Sequence, residues 1–138
     1  MKKSIIKGFF AILVLQFINY NSIAQNLKNQ SSSKAVKSDI EVIQFHSEHR
    51  CMTCKLIEKL TRETLQANFP NIPFKLVNVD DEKNAKLTEL FEATGTALFI
   101  YNPKTGKKVD LTDFAFMNAK SKPDEFKKGL IDAIKKFK

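Results

Sequence analysis

The two cysteines of the chain, Cys51 and Cys54, stand where one hydrophobic period ends and another begins. Before them, residues 39–45 (DIEVIQF) alternate. Ile40, Val42 and Gln44 fall to one side, Glu41, Ile43 and Phe45 to the other. That alternation, rich in β-branched residues, predicts a strand. After them Leu56, Ile57, Leu60, Leu65 and Phe69 recur near helical spacing until Pro70 and Pro73 close the run, which predicts a helix from about Met52 to Asn68. Glu58 and Arg62 form a favourable pair four residues apart, and Lys59 and Glu63 the same pair in reverse order. The loop His46-Ser47-Glu48-His49-Arg50 joins strand to helix, so the thiols sit on the helix's first turn. At i and i+3 they can close into a disulfide or share a metal. The helix N-terminus favours a thiolate at the first of them.

The rest of the chain continues the alternation of element types. Residues 74–79 (FKLVNV) read as a second strand, followed by an acidic turn at Asp80-Asp81-Glu82. A short helix is expected over Asn84 to Ala93, with Leu87, Leu90 and Phe91 as its apolar stripe and Gly95 as its stop. Residues 97–101 (ALFIY) are continuously apolar, as in a strand buried on both faces. Asn102 to Gly106 make a hairpin turn, and Lys107 to Leu111 return antiparallel. Residues 114–117, with Phe114, Phe116 and Met117, read as a hydrophobic loop. Pro123-Asp124-Glu125 then opens a last helix that buries Phe126, Leu130, Ile131, Ile134 and Phe137. The order is β-α-β-α-β-β-α, with a parallel first pair of strands.

The first residues read as a targeting segment. Met1-Lys2-Lys3-Ser4 is a basic start, Gly8 to Ile18 an apolar stretch, and Ser22-Ile23-Ala24 a small-residue cleavage site. The expected organisation is a signal peptide over 1–24, a flexible polar leader over 25–38 and one domain over 39–138, with an uncleaved anchor as the alternative. Cleavage would remove three of the 23 basic side chains and none of the 15 acidic ones, so the net charge would fall from +8 to +5. Lysines are interspersed with acids along the helices, without a run dense enough to follow phosphates, which argues against nucleic acid. Outside the cytosol a thiol pair meets oxidants and can form a disulfide. A periplasmic or secreted monomer, free of the membrane after cleavage, is the expected form.

That order of elements, with Cys-x-x-Cys straight after the first strand, resembles the thioredoxin fold from about Glu41 to the C-terminus. Phe74-Lys75-Leu76-Val77-Asn78-Val79-Asp80-Asp81-Glu82-Lys83-Asn84 is similar to the family's second parallel strand and the acidic turn after it. Phe45-His46, Arg50-Cys51-x-Thr53-Cys54-Lys55-x-Ile57-Glu58 and Asn78-Val79-Asp80 resemble small secreted thioredoxin-like proteins catalogued as nitrophenyl-compound nitroreductase subunits of the ArsF family. No stretch resembles a flavin or nicotinamide site. The resemblance implies an α/β, thioredoxin-like fold with a mixed four-stranded sheet and helices on both faces. Three positions depart from the family pattern. His49-Arg50 stand where thioredoxins carry Trp, Gln44 stands where they carry a buried acid, and Thr96 stands where they carry a cis-proline. A cis bond without proline costs about 3–4 kcal/mol, so a trans bond is expected at Thr96.

The resemblance implies thiol–disulfide exchange with protein thiols or disulfides, no cofactor beyond a redox-active Cys51–Cys54 disulfide, Cys51 as nucleophile and Cys54 as resolving thiol. Arg50, Lys55 and a protonated His49 would favour the Cys51 thiolate, with His46 and His49 as proton donors or acceptors. Two other readings stay open. His46, His49, Cys51 and Cys54 are two nitrogen and two sulfur ligands at short spacing, a set that zinc and copper accept. A non-catalytic binding module could use the 114–117 segment for a partner. An inert structural disulfide is less attractive, because a bridge over so short a loop constrains the unfolded chain little.

Overall fold

The computed structural model describes residues 38–138. The expected signal segment and nearly all of the leader lie outside those residues. The first strand, β1 (Glu41–His46), leads through a five-residue loop into helix α1 (Met52–Asn68). The helix ends where Phe69 leaves helical geometry, its N–H still bonded to Leu65 O at 2.7 Å. Pro70 follows and cannot donate to a further turn. Strand β2 (Phe74–Asn78) pairs with β1 in parallel, from Val42 opposite Phe74 to His46 opposite Asn78. A 3₁₀ turn (Glu82–Asn84) and helix α2 (Ala85–Phe91) come next. Strand β3 (Ala97–Tyr101) runs antiparallel to β1, and β4 (Lys108–Asp110) antiparallel to β3. Helices α3 (Thr112–Ala119) and α4 (Pro123–Phe137) complete the chain. The sheet order is β2-β1-β3-β4.

Strand alternation divides the core in two. Ile40 and Val42 join Leu98 and Ile100 on one face, where they meet Ile57, Leu60 and Leu65 of α1, Ala115 and Ala119 of α3, and Phe126, Leu130, Ile134 and Phe137 of α4. Ile43 and Phe45 point the other way, into a cluster with Val77, Phe99 and Phe91 of α2. Phe91 is the hub there, with ring centroids 5.2 Å from Phe45, 4.9 Å from Phe99 and 5.0 Å from Tyr101. Such tilted and edge-on pairs add about 0.5–1.5 kcal/mol each beyond their burial. This is an α/β fold, a mixed four-stranded sheet with helices on both faces in the thioredoxin-like arrangement. Helices α1 and α4 share one face and α2 takes the other, as the pattern predicts.

Four local expectations are corrected. Residues 112–119 are helical, not a loop. The Asp110 carboxylate accepts from Thr112 N at 2.8 Å, Leu98 N donates to Thr112 Oγ1 at 3.1 Å, and Ala115 and Ala119 fill the core. The short helix stops at Phe91 rather than Ala93. Its stop is Glu92 in the left-handed region at φ 53°, not Gly95. Ala93 N donates back to Thr88 O at 2.9 Å, a C-terminal motif that glycine usually serves. Leu90 of the expected stripe is exposed and Phe91 alone of α2 is fully buried, because seven residues present only one position squarely to the sheet. Ile131, expected in the core with its α4 neighbours, is only half-buried at the edge of the helix's apolar face.

The candidate thiol site

Strand β1 delivers the chain to the site at its carboxyl end, and α1 begins there. Cys51 is the N-cap of α1. It is extended, with φ −71° and ψ 162°, and its Sγ accepts from Cys54 N at 3.1 Å. Sulfur thus fills a role that side-chain oxygens of Ser, Thr, Asp or Asn normally fill. The two cysteines form a disulfide, with Cα atoms 5.1 Å apart. They are unequal. Cys51 is exposed, and Met52 beside it is 81% exposed, whereas Cys54 is 5% exposed beneath the first turn. The first turn of α1 contains no acidic residue, so nothing offsets its positive end. A negative charge on Cys51 Sγ would sit at that end and keep the bond from Cys54 N.

The loop before the motif is tied to the turn after β2. Val79 N donates to His46 O at 2.8 Å, and Glu48 N to Asp80 Oδ2 at 2.8 Å. Asp80 N in turn donates to Asn78 Oδ1 at 3.1 Å. Asn78 and Asp80, read in the sequence as the end of a strand and the start of an acidic turn, therefore hold the approach to Cys51. Thr96 lies one position before β3. The register of Phe45 with Ala97 sets it level with His46, at the same end of the sheet as the disulfide. Among the described residues no peptide bond is cis.

The charged residues around the motif have contacts of their own. Arg50 Nη2 lies 2.6 Å from Glu58 Oε2, an ion pair. Arg62 Nε donates to Glu58 Oε1 at 2.9 Å. Arg50 is thereby tied to the second turn of α1. Burial works to raise the Glu58 carboxyl, but Arg50 and Arg62 together outweigh it and hold the group below the ordinary carboxylate range. Lys55 is exposed one turn into the helix. His46 Nδ1 is 2.9 Å from Ser47 O; a carbonyl only accepts, which puts the proton on Nδ1. His49 is exposed, and its own carbonyl accepts from Ser47 Oγ at 3.3 Å. His46, His49, Cys51 and Cys54 are not gathered as ligands. The two sulfurs are bonded to each other, and among the described residues no group of three or more His, Cys, Asp or Glu side chains is placed to hold a metal ion.

Gln44, which by resemblance stands at the position of a buried acid, has a partner that only packing supplies. It is fully buried on β1, on the face that carries α1, and its Nε2 donates to Cys54 O at 2.9 Å. Its Oε1 is buried without a hydrogen-bond partner. An unmet buried acceptor costs about 1–3 kcal/mol. The alternation of β1 predicts the side to which Gln44 points. The packing of α1 on that side makes it a neighbour of the second cysteine. The 114–117 segment divides: Phe114 stacks on Phe126 with centroids 5.8 Å apart, while Phe116 and Met117 are exposed. Gly129 of α4 admits the Phe114 ring, since a Cβ there would lie 2.3 Å from Phe114 Cζ.

No family model matches the chain, and no curated protein does. Among solved structures, one described as the structure of a malarial protein is similar over 56% of this chain and 92% of its own, at 18% identity and a TM-score of 0.40. A likeness of that strength carries no argument. What stands by geometry is a Cys-x-x-Cys disulfide at a helix N-terminus, one sulfur reachable and one shielded, an arrangement compatible with a redox role.

Proposed function

We propose that this chain is a thioredoxin-like thiol–disulfide exchange protein, acting outside the cytoplasm on thiols or disulfides of partner proteins and related to the ArsF-type proteins it resembles. The observation that carries the reading is the inequality of the two sulfurs. Cys51 is exposed and caps α1 through Sγ, and Cys54 lies buried one turn inward. Attack on a partner needs a reachable thiolate, and release of the partner needs a second thiol that the partner cannot reach first.

The exchange is written for the reduced protein. The Cys51 thiolate attacks one sulfur of a partner disulfide, and a bond forms between them. The partner's other sulfur leaves as a thiolate and takes a proton. Cys54 then loses its proton and attacks Cys51 Sγ. The Cys51–Cys54 bond closes and the second partner sulfur departs. Two electrons pass from the dithiol to the partner, and the same steps run backwards when a partner dithiol meets the disulfide. The exposed Met52 beside Cys51 supplies an apolar contact for a partner polypeptide.

Replacement of each sulfur tests the reading, with the purified protein and a model protein disulfide as substrate. Cys51→Ser should abolish exchange. Cys54→Ser should trap a covalent mixed disulfide, seen as a mass adduct that reductant removes. In the reduced protein Cys51 should be alkylated faster than Cys54. Exchange that survives Cys51→Ser, or equal alkylation of the two thiols, would sink the assignment.

A further inference from the structure

The orphaned oxygen of Gln44 bears on the direction of the exchange. A backbone carbonyl can only accept, so the hydrogen bond to Cys54 O fixes the amide with its NH₂ toward that carbonyl. Oε1 is thereby left on the other side of the same planar group, unpartnered and out of reach of bulk water. The backbone of Gln44 is held on both flanks, opposite Leu76 of β2 and Leu98 of β3, so the side chain has a rigid base. A disulfide carries no hydrogen and has nothing to donate to Oε1. Reduction changes this, because Cys54 gains an S–H at a position 5% exposed, where the new donor also lacks water. Thr61, the other fully buried side chain of α1 with an unpartnered oxygen, lies seven residues on from Cys54, about two helical turns away, and cannot take its place.

We propose that Gln44 Oε1 accepts the Cys54 S–H when the disulfide is reduced, so that the dithiol gains a bond the disulfide lacks and the site is biased toward oxidising partner dithiols. The inference rests on the exchange reading above. In the favoured direction a partner dithiol and the Cys51–Cys54 disulfide become a partner disulfide and two protein thiols. Two electrons and two protons reach the site, and one of those protons stays on Cys54 Sγ in the bond to Gln44.

The test equilibrates the full chain with glutathione redox buffers and measures the oxidised fraction by alkylation and mass. Gln44→Met keeps the side-chain length and removes the acceptor. It should shift the equilibrium toward the disulfide by several-fold up to about tenfold, a tenfold shift being about 30 mV. An equilibrium that does not move, as when a buried water already serves Oε1 in both states, overturns the proposal, and so does a shift toward the dithiol. A second measurement leaves Gln44 intact and holds even if Gln44→Met does not fold. In reduced Cys51→Ser protein, the infrared S–H stretch of Cys54 should lie below that of a free thiol, and a free-thiol frequency overturns the bond. If exchange is lost in Cys51→Ser but the equilibrium is unmoved in Gln44→Met, only this inference falls. Exchange that persists in Cys51→Ser removes the reading beneath it.

Discussion

Arg50 and Glu58 show how a charge next to a cysteine in sequence can find its partner elsewhere. By position alone Arg50 adjoins Cys51, yet its guanidinium is drawn to Glu58, which also receives Arg62. At Cys51 itself no acid intervenes in the first turn of the helix, and Sγ accepts from Cys54 N. The carboxyl of Glu58 is held below its ordinary value near 4.5 by the two arginines against the opposing effect of burial. A depressed carboxyl contributes stability that is present above the unfolded value and is lost as pH falls through the folded one. Glu58→Gln should therefore destabilise the protein near neutral pH by about 1 kcal/mol, the upper end for a solvent-screened pair. The difference from the wild type should shrink as the pH drops below about 4.5. Urea unfolding of both proteins at neutral and acid pH checks this; a difference constant across that range would contradict it. The pairing of Glu58 with Arg62 is legible as an i, i+4 spacing, whereas that with Arg50 depends on how the loop enters the helix.

Helix α2 is short and weakly anchored, with one fully buried residue, and its end is made by a residue poorly suited to the task. Glu92 has a Cβ and sits at φ 53°, a conformation that costs an L-residue about 1–2 kcal/mol. Glycine adopts it freely but has more freedom to lose on folding. Glu92→Gly should accordingly stabilise the protein by about 1 kcal/mol. For a domain of this size that is a rise of roughly 4–8 °C in Tm. A thermal melt that falls instead would show that the Glu92 side chain does something the φ angle does not reveal. Helix α3 is the complementary case. Ala115 and Ala119 face inward while Phe116 and Met117 face out, so its apolar residues fall all round and no stripe betrays a helix. Its start is fixed by Asp110, Leu98 and Thr112, contacts that exist only once β4 lies beside β3.

For the chain as a whole, the proposed exchange would depend on the compartment in which the cysteines stand. The basic start, the apolar stretch from Gly8 to Ile18 and the Ser22-Ile23-Ala24 site motivate the expectation that the mature protein begins at Gln25 and is exported. N-terminal sequencing of the protein from an extracytoplasmic fraction should return Gln25. An intact Met1 recovered from membranes would instead indicate an anchor. Among the described residues no helix is long and apolar enough to cross a membrane. Export would place the Cys51–Cys54 disulfide where oxidants keep such bonds closed.

Local order was readable because its signals are local. A strand of period two followed by a helix of period 3.6 puts Cys51 and Cys54 on a first turn whatever else the chain does, and the positions of β1, α1, β2 and β3 follow within a residue or two. The parallel pairing of β1 with β2 and the antiparallel return of β4 on β3 were legible too, since a strand–helix–strand crossover and a tight hairpin leave few alternatives. What escaped depends on meetings between distant parts. Asp80 reaches Glu48 N from 32 residues away, and Arg50 turns to Glu58. Gln44 was marked by the resemblance as the position of a buried acid, but its bond to Cys54 O exists because β1 and α1 pack face to face. Hydrophobic period decides which face a residue shows. Which hydrogen bond that residue then makes is set by the partner that packing brings against it, and no spacing along the chain records it.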